Sequence, residues 1–482
     1  MEESLVRRLE AGTRRWPERP ALVWDGGAFT HGELDARAGA VAARLAARRV
    51  GPGARIALAI PNRWPFAVAL LAGWKLGAVV APLDPLLKAE ERRAILADLA
   101  PVLTLEEGDL EAGAGAGPGR VPFRSAPAPP RDAPALILYT SGSTGRPKGA
   151  VMSHAALVVG DESWCGPVMA LTPADVVLAV LPLSHSFGLH GALLAPLLAG
   201  AASVLIERFA PDAVLEAIGR YRVTVFPGVA TMFRRVLDSP LLARADLGSL
   251  RLAVSGAAPC PWDLTEEWRS RTGVRILRGY GMTELFRPIS YLAADPRESP
   301  AAIGRAVPGV EVKSVGDDGR PLAPGEVGEL WIRSPSAMLG YLNAPEETRE
   351  VLTGDGWFRT GDLARITADG LVEIAGRKRE RILRGGYSIF PQEVEAVLLT
   401  HPAVAEAAVV GVPHRELGEE VAAFVTLRPG AGARPDELVD HCRARLAGFK
   451  YPRRVTILAS LPRSATGKIL KAELPGRRAG AG

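Results

Sequence analysis

ALILYTSGSTGRPKGAVM, residues 135–152, passes from a short apolar run into eleven residues rich in glycine and hydroxyls, 139–149, and back into an apolar run. The opening residues read as a buried strand, and a strand that ends in such a loop can present it to a ligand. Gly142 and Gly145 let the backbone turn sharply and aim N–H groups at an anion. Thr140, Ser141, Ser143 and Thr144 add hydroxyl donors, and Lys148 adds positive charge. A phosphate suits that chemistry. The stretch is not the common P-loop, in which Gly-Lys-Ser/Thr opens a helix, because Pro147, Lys148 and Gly149 lead into Ala150, Val151 and Met152. Composition alone leaves a flexible surface loop as an equal reading.

Outward from this stretch, short apolar runs at 56–60, 79–83, 135–139, 176–181, 223–226 and 252–255 read as strands. Helical patterns at 66–76, 211–221 and 262–272 fall between them, so the chain reads as α/β with largely parallel sheets. Residues 112–134, rich in Gly, Ala and Pro, read as a surface loop. From about 310 to 374 the texture is short strands, with turn signals at 317–319, 324–325 and 368–370. After the basic stretch that begins at Arg377 come a helix from Pro391, strands at 404–410 and 421–427, and a helix from Pro435. This end reads as a separate domain of about 100 residues.

A length of 482 residues with 48% apolar composition permits several large cores. Cys165, Cys260 and Cys442 are far apart and lack metal-ligand spacing, which fits a reducing, cytoplasmic setting. The start, MEESLVRRLEAGTRRW, reads as an amphipathic surface helix, not a leader. A net charge of +5 with dispersed arginines points to no nucleic-acid partner. Residues 176–206 contain no Asp, Glu, Lys or Arg, which raises the question of a transmembrane segment. Pro182, Ser184, His185, Ser186, Gly188, His190 and Pro196 interrupt the run, so strand, loop, helix and strand inside a soluble core is expected.

The string YTSGSTGRPKG closely resembles the phosphate-binding signature of the adenylate-forming superfamily, which comprises acyl- and aryl-CoA synthetases, peptide-synthetase adenylation domains and luciferases. Further matching motifs follow in the family's order, from THGELD at Thr30 to SATGKILK ending at Lys471. LPLSHSFG implies His185 near the carboxylate being activated. SGAAP implies Gly256, Ala257 and Ala258 against adenine. GYGMTE implies Tyr280 on adenine, Thr283 on phosphate and Glu284 on Mg²⁺; a carboxylate beside phosphates makes sense only with a hard cation between them. RTGD implies Asp362 on the ribose diol. GRKRERI implies Arg377 on ribose or phosphate and Arg379 as the hinge, where relatives often carry Asp or Lys. Gly385 and Gly386 would line a channel for a pantetheine thiol, and Lys468 corresponds to the catalytic lysine.

The resemblance implies a large N-terminal domain, 1–378, of layered α/β subdomains plus a small β-rich subdomain. A small mobile α+β C-terminal domain, 379–482, would follow. It also implies an acid–thiol ligase using ATP, Mg²⁺ and CoA: acid and MgATP give acyl-AMP and pyrophosphate, then the thiol takes the acyl group. Lys468 would stabilise the charge that develops as pyrophosphate leaves. The stretches FPGVATMF from Phe226 and LFRPIS from Leu285 are mostly apolar, so a fatty or alicyclic monocarboxylic acid is expected first and aryl acids next. A dicarboxylate would want a cation near Tyr280, where Gly279 stands; Arg287 could serve, with a surface role equally open. A ligase loading a carrier protein, a non-catalytic nucleotide-binding relative and a light-emitting oxidative enzyme are the alternatives.

Overall fold

The computed structural model describes residues 4–111, 129–141, 147–296, 298–385, 387–463 and 469–475. The expected loop at 112–134 therefore falls largely outside the described residues. The chain clusters into two compact units, one of 1–312 with 332–358 and one of 313–331 with 359–482.

The first unit is built on two mostly parallel sheets. One has the order Gly340–Tyr341, Pro147–Ser153, Pro134–Ser141, Val79–Pro82, Arg55–Ala59, Leu103–Glu106. Its first two junctions are antiparallel and the others parallel. The other has the order Ile276–Leu277, Leu252–Ser255, Val225–Gly228, Val176–Ala179, Ala202–Leu205, Pro20–Trp24, Gly27–Thr30, and only its last junction is antiparallel. Strands buried on both faces read as continuous apolar runs, which is why the sequence exposes them.

Helices close the sheet faces for local reasons. Thr30 accepts from the Glu33 backbone while the Glu33 carboxylate takes the Thr30 N–H, a reciprocal cap that starts the helix His31–Ala47. Pro211 opens Pro211–Tyr221, which buries Val214, Leu215, Ala217 and Ile218 on one face. Phe233 meets Phe226 and Trp268 edge-on in that core, with ring centroids 5.0 Å and 5.1 Å away.

The charge-free run forms the strand Val176–Ala179, a loop, helical turns from Ser186 to Ala199 and the strand Ala202–Leu205, as expected. The first strand ends two residues earlier than the apolar pattern suggested. Asn62 ends it: its side-chain N–H donates to Leu181 O at 2.7 Å and its carbonyl accepts from Leu183 N–H at 2.8 Å. Among the described residues no helix is long and apolar enough to cross a membrane.

A four-stranded sheet of Glu311–Val315, Val327–Arg333, Phe358–Ile366 and Val372–Arg377 has most of its residues in the second unit. Its turns at Gly319, Gly325 and Gly370 all have positive φ, as the turn signals required. One element went unread: Pro345–Val351, in the first unit, is a helix whose first turn carries Glu346 and Glu347. A further sheet joins Tyr387–Ile389, Ile382–Arg384, Gly418–Leu427 and Val404–His414 in order, with Arg454–Ile457 beside Gly418–Leu427. Helices Pro391–Leu399 and Pro435–Arg443 bury Val394, Leu398, Leu438 and Cys442 against it. The molecule is thus mixed α/β, with a large N-terminal and a small C-terminal domain.

Candidate active site

Parallel strands present their carboxyl ends on one edge of a sheet, and ligands of open α/β sheets bind outside those ends. In the seven-stranded sheet the motifs sit there. The loop carrying His185 follows Val176–Ala179, Gly256, Ala257 and Ala258 follow Leu252–Ser255, and Tyr280 follows Ile276–Leu277. Ala257 and Ala258 are exposed, and Ala257 has φ +63°, so this turn offers bare backbone to an approaching flat group.

His185 meets the other sheet's ligand edge. Its Nε2 lies 3.1 Å from Oδ2 of Asp84, just past the strand Val79–Pro82. The hydrogen bond with His185 holds the Asp84 carboxyl below its ordinary range. Asp84 carries no motif, and its position in Leu83-Asp84-Pro85 after a predicted strand was the available signal.

The glycine-rich loop spans an antiparallel hairpin in which Thr140 faces Lys148 and Tyr139 faces Gly149. Gly142, Ser143, Thr144 and Gly145 lie outside the described residues, as does the side chain of Ser141. At the loop's base, Tyr139 Oη donates to Asp98 Oδ2 at 2.8 Å, and burial pushes the Tyr139 phenol up. Lys148 Nζ sits 5.4 Å from the ring centroid of Tyr341. Tyr341 in turn donates to Glu284 Oε1 at 2.7 Å. Tyr341 thus joins the phosphate hairpin to GYGMTE, a link that sequence reasoning missed; its nearest signal is an aromatic residue in an otherwise unassigned SAMLGYLN stretch.

GYGMTE is itself half of a hairpin, Gly279–Met282 with Phe286–Ser290. Gly281 is required there, because a Cβ would overlap the carbonyl oxygen of Phe286. Phe286 has φ +58°, an uncommon conformation for an aromatic residue and of the kind stored at binding sites. Thr283 and Glu284 lie in the turn, partly exposed. Among the described residues no group of three His, Cys, Asp or Glu could hold a metal, so Glu284 is not part of a protein cage. One such carboxylate fits magnesium that brings its remaining ligands as phosphate oxygens and water.

Behind this hairpin the wall is aromatic. Trp164 stacks on Phe187 at 5.5 Å, and His190 meets the Phe286 ring at 4.0 Å. Arg287 corrects an expectation: a surface role was open to it, but it is 5% exposed, over the Trp164 ring at 5.2 Å. The residue lies on a strand whose five positions are all buried, so its side chain has no route to solvent.

In the second unit, Asp362 and Arg377 are directly opposite on neighbouring strands, with Arg377 Nε 3.2 Å from Asp362 Oδ1. Asp362 is buried beside Gly361, whose φ of +69° sharpens the approach. Arg379 is exposed in the turn Lys378–Glu380. Its neighbours are tied down: Lys378 to Glu329 at 2.9 Å, Arg381 to Asp317 at 3.3 Å. Glu380 binds Lys471 at 3.0 Å, and Lys471 also holds Glu395 at 2.7 Å. Gly385, at φ +56°, turns the hairpin Ile382–Arg384 and Tyr387–Ile389. Gly386 and Lys468 lie outside the described residues.

Comparison with known proteins places this arrangement. Residues 9–342 match the AMP-binding enzyme family and 393–468 match the AMP-binding enzyme C-terminal domain. Feruloyl-CoA synthase from Amycolatopsis sp is 38% identical over 481 residues, covering 96% of each chain. Sulfoacetate–CoA ligase from Cupriavidus necator is 35% identical over 499 residues, covering 98% of this chain and 97% of the other. The crystal structure of ATP-bound MatB from Rhodopseudomonas palustris superposes with a TM-score of 0.91 at 32% identity, covering 98% of both chains. These relatives differ in the acid they are named for, feruloyl, sulfoacetate or long-chain fatty, and share CoA. The chain belongs to the AMP-binding enzymes of the adenylate-forming superfamily, and is an acid–thiol ligase acting on a carboxylic acid, ATP and CoA.

Proposed function

We propose that the enzyme converts a carboxylic acid with a compact apolar body, alicyclic or aryl ahead of long-chain fatty, into its CoA thioester by way of an acyl-adenylate. The observation that carries this reading is the aromatic wall of Trp164, Phe187 and Phe286, behind the strand ends that bear His185, Gly256 and Tyr280. Because the relatives include a feruloyl-CoA synthase, a sulfoacetate ligase and long-chain-fatty-acid ligases, identity alone selects no acid.

In this reading residues 1–378 and 379–482 act as the two domains. The loop residues Thr140 to Gly145 and Lys148 hold the triphosphate. Gly256, Ala257, Ala258 and Tyr280 hold adenine, and Asp362 and Arg377 hold ribose. His185, oriented by Asp84, lies beside the reacting carboxylate. Magnesium, entering with ATP on Glu284, with Thr283 on the phosphate, would neutralise charge on the phosphate oxygens. Lys468 supplies the mobile ammonium that favours loss of pyrophosphate. A turn about Arg379 then lets Gly385 and Gly386 admit the thiol.

The test is pyrophosphate release across a panel of fatty, alicyclic and aryl acids, with and without CoA, with thioesters identified by mass. Acid-dependent release and a CoA thioester, fastest with the compact acids, are expected. Release without thioester would move the acceptor to a carrier protein, and no release with any acid would sink the reading.

A further inference from the structure

A guanidinium stays charged at neutral pH, and burying one without a partner carries a large desolvation cost. Arg287 is such a group. Burial pushes it down to about 9, which still leaves it a cation; the carboxylate that acts on it, Glu298, is ion-paired with Arg278 at 3.0 Å, and among the described residues no salt bridge joins it to Arg287. Its three hydrogen-bond partners among the described residues are neutral acceptors: Nε donates to Ser290 Oγ at 2.8 Å, Nη1 to Ser255 O at 2.8 Å and Nη2 to Leu277 O at 3.2 Å. Five N–H groups are available and three are used there, so the fork retains two donors and its full charge.

Its location is specific. Ser255 and Leu277 are the last residues of adjacent parallel strands, so the cation sits at the ligand edge of the sheet. Two glycines make room for it. A Cβ at Gly279 would overlap the guanidinium, and one at Gly256 would come within 3.2 Å of Nη1. Around it are further buried polar atoms with no partner among the described residues: Ser163 Oγ and Trp164 Nε1. Ser163 lines the same cavity as Arg287, and Trp164 stacks under the guanidinium. A purely apolar acid would leave all of these groups unsatisfied, at a cost for each.

We propose that Arg287 determines acid specificity, its guanidinium receiving a second anionic group, carboxylate or sulfonate, at the end of the acid remote from the carboxylate that is activated. This rests on the reading of the aromatic wall as the acid site, and it narrows the compact apolar body to one that ends in an anion. Carboxylates and sulfonates match the planar donor fork and would complete its charge balance.

The experiment measures kcat/KM for pyrophosphate release by the full chain on matched pairs: terephthalate against 4-methylbenzoate, glutarate against pentanoate, 3-sulfopropanoate against butanoate. The wild type should prefer the dianion of at least one pair by about 100-fold. Arg287→Met should abolish that preference, and Arg287→Lys should retain part of it. Gly279→Ala, which keeps the charge but displaces the guanidinium, should lower it. A ratio of two substrates within one preparation does not depend on the fraction folded, so a partly unfolded variant still reports. Preference for the neutral acid in every wild-type pair, or an unchanged ratio in Arg287→Met, overturns the proposal while leaving acid activation intact. No release with any acid would remove both.

Discussion

At the residue scale the site depends on pairs. Glu284 is useful to a magnesium nucleotide only if its oxygens point the right way, and Tyr341 fixes one of them with a 2.7 Å hydrogen bond. Removing that hydroxyl in Tyr341→Phe should raise the magnesium needed for half-maximal rate by about tenfold, as loss of an orienting partner does. An unchanged magnesium requirement would show that the bond is incidental. Lys468 is assigned a different task. Lys468→Ala should slow acyl-AMP formation by about 100-fold or more, while thioester formation from supplied acyl-AMP stays near wild type. Equal loss in both half-reactions, followed by rapid quench, would refute that division of labour.

At the element scale the loop from Leu181 to Gly188 is the clearest device. Asn62 ties it at Leu181 and Leu183, and Gly188 packs so closely that a Cβ would overlap the carbonyl oxygen of Pro182. Backbone cannot yield as a side-chain tip can. Gly188→Ala should therefore destabilise the enzyme by about 1–3 kcal/mol in urea unfolding and weaken the His185–Asp84 contact. A variant as stable as the wild type would show that the loop can shift. Helix starts were legible from the proline at Pro211, Pro391 and Pro435. The helix Pro345–Val351 was not, because its seven residues bury nothing and leave no periodic apolar trace.

At the scale of the whole molecule, buried polar groups set how the fold meets acid. His154 is fully buried, neither ring nitrogen has a partner among the described residues, and desolvation lowers its pKa to about 4. An unfolded chain binds that proton near pH 6.5, so below this the unfolded state gains protons that the folded state refuses. Stability should fall by about 1.4 kcal/mol per pH unit between 6.5 and about 4 from this group alone. His154→Leu should flatten that slope in urea titrations at pH 7, 5.5 and 4.5. A slope the same in both proteins would assign the acid sensitivity elsewhere.

What the sequence by itself determined is what chain neighbours encode. Alternating apolar runs specified α/β layers, and unbroken motifs such as YTSGSTGRPKG and GYGMTE named the family, because a turn of this kind needs its glycines and hydroxyls in succession. What only the tertiary structure decided are contacts between residues far apart in the chain. Tyr341 reaches Glu284 across 57 positions and His185 reaches Asp84 across 101, and neither pair leaves a local pattern. Arg287 shows the limit most plainly. In LFRPIS it could read as a surface charge, but the hairpin buries every residue of its strand, and the space left by Gly256 and Gly279 turns it inward. Burial is a property of packing, which no single stretch of sequence contains.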